Sequence, residues 1–338
     1  MDKAERSALG EVSLATVAEQ AGVSVSTVSR IVNGETGRAS ADTVARVREA
    51  ISAVGYRPNH VGRTLRRRES RVVAMLAANL DNPIMATIAA ATETALRSAG
   101  YVMILCDTHD RADLQDEYLH AMRAQVVKGY VLVGCVASPE LERFAAQGVP
   151  MVFATRRNPY GGGAFVGIDD KLAGAQVADR FLASGNVRLA VVHPRKGSSA
   201  TRDRVAGFQA RLVERGSGPD RVIEAMGNGA SHLEVGYDAA DALFAMSDPP
   251  RAVLCVSDQI AYGVYRRARE RGIRIPEDCY LVSIDGSSLN RWIAPWLASI
   301  RIEYPRYGDE ILRSLQAIWS GEAAGDRLVP HEFGDLVG

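Results

Sequence analysis

The chain has only four cysteines and six histidines in 338 residues, and 6% of it is aromatic. Cys106, Cys135, Cys255 and Cys279 lie far apart, without a CxxC pair, each in or beside an apolar run (102–106, 131–135, 253–256, 279–284). That arrangement excludes a disulfide framework or a redox dithiol and predicts reduced thiols packed in a core. The histidines show no pair at metal-ligand spacing, so no metal is expected. No GxxxxGK[ST], HExxH or GxSxG occurs. Gly227-Asn228-Gly229 lacks the third glycine of a dinucleotide fingerprint, and Gly161-Gly162-Gly163 beside Asn158-Pro159 reads as a surface loop. Asp169 and Asp170 are adjacent, and neighbours at a strand end point to opposite faces. No catalytic residue, cofactor or enzymatic activity is therefore expected. No apolar run reaches the ~18 residues that span a bilayer, and the charged start Met1–Arg6 leads into no apolar segment, so the expected location is cytoplasmic.

What is present is the composition of an ordinary globular protein, 47% hydrophobic and 24% charged, long enough for two or three domains. Formal net charge is zero but unevenly spread: residues 11–71 hold ten arginines against six acids, so the remainder is acidic by the same margin of four. A basic head on an acidic body suits a head that meets phosphates.

The head reads as three helices. Ser13 caps one over Leu14–Ala21, broken by Gly22; Ser24 caps a second over Val25–Val32, stopped by Asn33-Gly34; Ser40 caps a third through Val54, ended by Gly55. Val44, Val47, Ile51 and Val54 recur at helical spacing and close a small core against Leu14, Val17, Val28 and Ile31. Tyr56-Arg57-Pro58-Asn59 then breaks the pattern. A short basic segment follows through Arg68, with Leu65 its most prominent apolar residue, and alone it is too short for a stable helix.

From Val72 on, strands alternate with helices. Strands are predicted at 72–77, 102–106, 130–133, 151–154, 165–168, 189–193, 252–256 and 280–284. Helices separating them include 83–98, 114–125, 172–183, 204–214 and 259–271. Such alternation predicts parallel sheets covered on both faces, here split into two lobes whose strand carboxyl ends face one cleft.

The run Val12–Ala18 with Ala21–Asn33, then Tyr56–Asn59 and the segment ending in Leu65, resembles the LacI/GalR family of transcription regulators. Asp81-Asn82-Pro83, Gly100-Tyr101, Val166–Asp169, Arg202 with Ala206-Gly207-Phe208, Ser257-Asp258, Ile284-Asp285 and Tyr307-Gly308 extend the resemblance over nearly the whole chain. Departures from the usual pattern are Gly62 for a hinge alanine, Ile84 for an aromatic, Asn186 for a histidine, Ser257 for an asparagine and Ala298-Ser299 for two threonines. The implied fold is an all-α helix-turn-helix head (12–58) and a hinge helix (59–70), joined to a two-lobed, doubly wound α/β core (71–338) like a periplasmic binding protein. Its N-lobe is expected at about 71–171 and 301–326, and its C-lobe at about 172–300 and 327–338.

The resemblance places base contacts at Val25, Ser26 and Arg30. Chemically, arginine grips guanine O6 and N7 together, and valine meets a thymine methyl. Thr27, Ser29 and Asn33 are candidates for phosphate contacts. The hinge around Asn59, Gly62 and Leu65 would place a leucine wedge in the minor groove, ordering only when DNA and a second hinge supply contacts. In the cleft the candidates are Arg202 and Asp285, with Asp81, Asp107, Ser257 and Asp258 behind them. Asp258 also reads as a plain helix cap, and Trp292 as either a stacking platform for a sugar or interlobe core. The expected function is a repressor of a catabolic operon, binding a palindromic operator as a homodimer under a small polar effector (sugar, sugar acid or nucleoside-like). No apolar heptads follow residues 307–321, so no tetramerising tail is expected. The competing reading is a solute-binding receptor module without a regulatory role on DNA.

Overall fold

The computed structural model describes residues 13–32, 34–37, 39–56, 70–185, 188–218 and 222–336, in two compact units divided before Ser70. In the first unit, α1 (Leu14–Ala21), α2 (Val25–Val32) and α3 (Ala41–Val54) follow the local signals closely. Ser13 and Thr16 cap α1 reciprocally, and Gly22 ends it in the left-handed region at φ 60°, where a side chain would be strained. The Ser24 and Ser40 hydroxyls accept from the amides of Thr27 and Thr43. Val17, Val28, Ile31 and Val47 are buried together as the head core.

The second unit holds two six-stranded sheets. The first is built from β1 (Val72–Ala77), β2 (Val102–Asp107), β3 (Gly129–Val133), β4 (Met151–Ala154), β5 (Ala164–Gly167) and β11 (Arg327–Leu328), in the order β11-β5-β4-β3-β1-β2. The second uses β6 (Leu189–Pro194), β7 (Val222–Gly227), β8 (Ala252–Cys255), β9 (Tyr280–Asp285), β10 (Ala298–Ile302) and β12 (His331–Gly334), in the order β12-β10-β9-β8-β6-β7. Every pairing is parallel except β10 with β12. Helices α4 (Pro83–Ser98), α5 (Ala112–Ala124), α6 (Pro139–Ala146), α7 (Asp170–Ala183), α8 (Ser199–Glu214), α9 (His232–Phe244), α10 (Asp258–Glu270), α11 (Asn290–Ile293) and α12 (Pro305–Ser320) connect the strands. A strand buried on both faces, such as β6 with Leu189, Ala190, Val191 and Val192, reads as an unbroken apolar run for this reason. The four cysteines are buried and unbridged, and burial pushes the Cys135 and Cys279 thiols up to about 12. Among the described residues, no helix is long and apolar enough to cross a membrane.

Three expectations need correction. Arg327 and Leu328 pair with β5, so the chain is still in the first lobe there and reaches the second only at β12. Residues 301 and 302 belong to β10, placing them in the second lobe. Asp169 and Asp170 do not end a strand: Asp169 caps α7 through the Leu172 amide, and Asp170 opens the helix.

The α7–α8 crossing is set by glycine. A Cβ on Gly174 would lie 2.1 Å from the Arg204 carbonyl oxygen, and one on Gly207 would lie 2.0 Å from that of Lys171. Backbone meets backbone here, so no rotamer change relieves a side chain. Gly207→Ala is therefore expected to lower stability by about 1–3 kcal/mol or more. Thermal unfolding of the variant checks this, and an unchanged midpoint would contradict it.

Candidate functional site

On α2, Val28 and Ile31 face the head core, which leaves residues 25, 26, 29 and 30 on the outer face. Val25 is 46% exposed. The Ser26 hydroxyl lies 2.9 Å from that of Ser24, and Arg30 Nε donates to the Ser26 carbonyl at 3.3 Å, which lays the guanidinium along the outer face. The Thr27 hydroxyl is held 2.9 Å from Ser24 Oγ. Asn33, Asn59, Gly62 and Leu65 lie outside the described residues.

In the second unit, the carboxyl ends of β4, β6 and β9 meet in a cleft between the lobes. Its floor is organised by Arg204 on α8, whose side chain is 13% exposed. Arg204 Nε donates to Asp170 Oδ1 at 2.8 Å, while Nη1 donates to the carbonyls of Val256 and Ile284 at 2.6 and 3.0 Å and reaches Asp285 Oδ1 at 3.5 Å. An inner cavity of about 70 Å³ is lined by Arg204, Asp170, Asp285, Ser257, His232 and Thr155, among others. Burial opposes the charge of Arg204, but the two flanking carboxylates outweigh it and push its pKa up. Burial pushes Asp285 up to about 7 against the pull of Arg204, and raises Asp170 as well. His232 is driven down to about 4 by burial, with Arg156 adding to the effect, so its imidazole is neutral; its Nδ1 lies 2.9 Å from Ser257 Oγ.

Outside this floor the cleft opens into a groove of about 780 Å³ that shares Arg156, Ser198, Thr201 and His232 with the inner cavity.

Asp285 and Ser257, both candidates for the cleft, line the inner cavity. Arg202, the other leading candidate, also lies in the cleft but on its outer groove, exposed and donating to the Gly197 carbonyl at 2.9 Å. The helix was expected to begin at Arg204, but it begins at Ser199, capped by Ser198. Two residues apart on a helix means about 200° of rotation, so Arg202 and Arg204 face opposite ways. The missed signal was Ser198 with Thr201 three residues on.

Asp258 is buried and fully engaged, accepting from Ser283 Oγ at 2.5 Å, the Ser287 amide at 2.7 Å, Asn290 Nδ2 at 2.9 Å and Ser299 Oγ at 3.2 Å. Four donors use the acceptor sites of a carboxylate, leaving none for a ligand. The cap of α10 is Ser257, not Asp258. Asp107 accepts from the amides of Leu80 and His109, and Asp81 is exposed and contributes its carbonyl to Gln259; neither carboxylate lines the inner cavity. Trp292 is 71% exposed with Arg291 over its ring, which removes the interlobe-core reading, and it lines neither the inner cavity nor the groove.

Residues 13–59 match the bacterial regulatory proteins of the lacI family, and residues 178–332 a periplasmic binding protein-like domain. The chain is 31% identical over 292 residues to the HTH-type transcriptional regulator PtxS of Pseudomonas plecoglossicida, covering 84% of this chain and 82% of that protein. It is 31% identical over 299 residues to the HTH-type transcriptional repressor PurR of Yersinia pestis bv. Antiqua, covering 87% and 86%. Among solved structures it resembles the lac repressor dimer bound to operator and the anti-inducer ONPF, with a TM-score of 0.84 and 24% identity over 96% of this chain and 98% of that one.

The raised pKa of Asp285 has a measurable sign. A carboxyl held at about 7 when folded and near 4 when unfolded adds stability fully below pH 4, and that contribution is lost as pH rises through 7. The thermal midpoint of the wild-type chain minus that of Asp285→Asn should therefore fall between pH 5 and pH 8. A difference independent of pH would contradict the assignment.

Proposed function

This chain belongs to the LacI family of bacterial regulatory proteins, a family of transcriptional regulators and not of enzymes, and we propose that it is a sequence-specific repressor. In this reading it acts in the cytoplasm, binds a palindromic operator as a homodimer and controls a catabolic operon. A small polar effector enters the interlobe cleft and sets the affinity for DNA. The observation that carries the reading is the Arg204–Asp170–Asp285 floor, sited where strands of both lobes end, in a chain whose other unit presents an arginine on a short capped helix.

Val25, Ser26 and Arg30 read bases in the major groove; Thr27 and Ser29 position the helix on phosphates. In the cleft, Arg204, Asp285 and Ser257 hold the effector from the floor. Regulation requires the effector to prefer one arrangement of the lobes, and a ligand touching both walls meets that condition. The receptor-module alternative is disfavoured because the head is of the family's DNA-binding type.

Fluorescence anisotropy on a duplex selected from a random pool tests both halves. Arg30→Ala should weaken binding to the selected duplex at least about tenfold, with little change on random DNA. A small molecule that shifts the wild-type affinity should leave that of Arg204→Ala unmoved. Undiminished selectivity in the first variant, or an undiminished response in the second, would refute the corresponding assignment.

A further inference from the structure

The groove at the cleft mouth differs in charge from its floor. Five cationic side chains line it, Arg156, Arg157, Arg195, Lys196 and Arg202, against one carboxylate, Asp110. The two on the first lobe are already neutralised: Arg156 by Asp110 at 2.5 Å and Arg157 by Asp326 at 2.7 Å. The three on the second lobe are not. Arg195 donates to the neutral Asn228 side chain at 2.7 Å and Arg202 to the Gly197 carbonyl. Among the described residues, no acid lies within salt-bridge distance of Arg195, Lys196 or Arg202. They surround the start of α8, whose first-turn amides add partial positive charge to the same point. The floor has the opposite character, with two carboxylates for one guanidinium. There too the Thr155 hydroxyl is buried without a hydrogen-bond partner, on a residue held at φ 63°.

A ligand matching both ends presents hydroxyls to Asp285, Asp170 and Thr155 and an acidic group to the mouth. We propose that the cleft takes an anionic polyol, a sugar acid or sugar phosphate, whose acidic group sits against Arg195, Lys196 and Arg202. The inference rests on the cleft being the effector site and names the class of effector it takes. Three cations without a counter-ion repel one another, and an anion both relieves that repulsion and gains charge-assisted hydrogen bonds. A neutral sugar satisfies the floor and leaves the mouth uncompensated.

The test follows the thermal midpoint of the full-length chain at constant ionic strength as chloride is replaced by inorganic phosphate or by gluconate. At least one should raise the midpoint saturably, phosphate marking a phosphate ester and gluconate a carboxylate. In the double variant Lys196→Gln, Arg202→Gln the apparent affinity should drop about tenfold or more. No saturable rise with either anion, or an equal rise in the variant, overturns the proposal. DNA binding on the same samples separates the two readings. Anion binding at the mouth with no effect on DNA affinity would leave this site standing and remove its regulatory role. A neutral sugar that shifts DNA affinity while neither anion binds would keep the regulatory role and sink this inference.

Discussion

The second unit depends on one buried ion cluster. Arg204 carries its charge into the interior between the lobes, where an unpaired guanidinium would be strongly destabilising. It is tolerated because Asp170, Asp285 and two strand carbonyls meet it from several directions. The four partners come from three elements: the start of α7, the end of β9, which supplies two, and the chain leaving β8. The cluster therefore ties the register of α7 and α8 to the carboxyl ends of the central strands of the second sheet. The glycine contact between those helices serves the same end, since any side chain at 174 or 207 would hold Arg204 away from Asp170.

A second network lies directly behind this one. Asp285 also accepts from the Asp258 amide at 3.1 Å, and Asp258 in turn gathers Ser283, Ser287, Asn290 and Ser299. Ser257 and Ser299, both departures from the usual family residues, take part in these contacts: one caps α10 and meets His232, the other holds Asp258. The polar groups of the floor are thus mutually positioned before any ligand arrives, which is the condition for discriminating among ligands by hydrogen bonding. The acidic floor and basic mouth then divide the labour of recognition between hydroxyls and an anion.

How far the sequence could be read follows from the range of the interactions involved. The head was legible to the residue because its signals are local: Ser13, Ser24 and Ser40 cap helices three or four residues away, and Gly22 and Gly55 end them. The central strands were legible because they are unbroken apolar runs. Four strands were not: Glu224 in β7, Arg301 in β10 and Glu332 in β12 interrupt the pattern, and β11 is two residues long. In the cleft the resemblance pointed to Arg202, while the partnership of Arg204 with Asp170 spans 34 residues of sequence and appears in no local pattern. Trp292 and Asp258 misled in opposite ways, an aromatic that stays in solvent and an acid consumed by its own neighbours.

Arg204 and Asp170 organise the cleft as one unit, and a double-mutant cycle measures that directly. Arg204→Met and Asp170→Asn, alone and together, should be compared by equilibrium unfolding of the second unit's transition. Each single change should destabilise by about 3 kcal/mol, because it strands a buried charge, and the double should lose far less than the two combined, giving a coupling of at least about 1.5 kcal/mol. Losses that simply add would show that the cluster does not organise the cleft, and would contradict the account at its base.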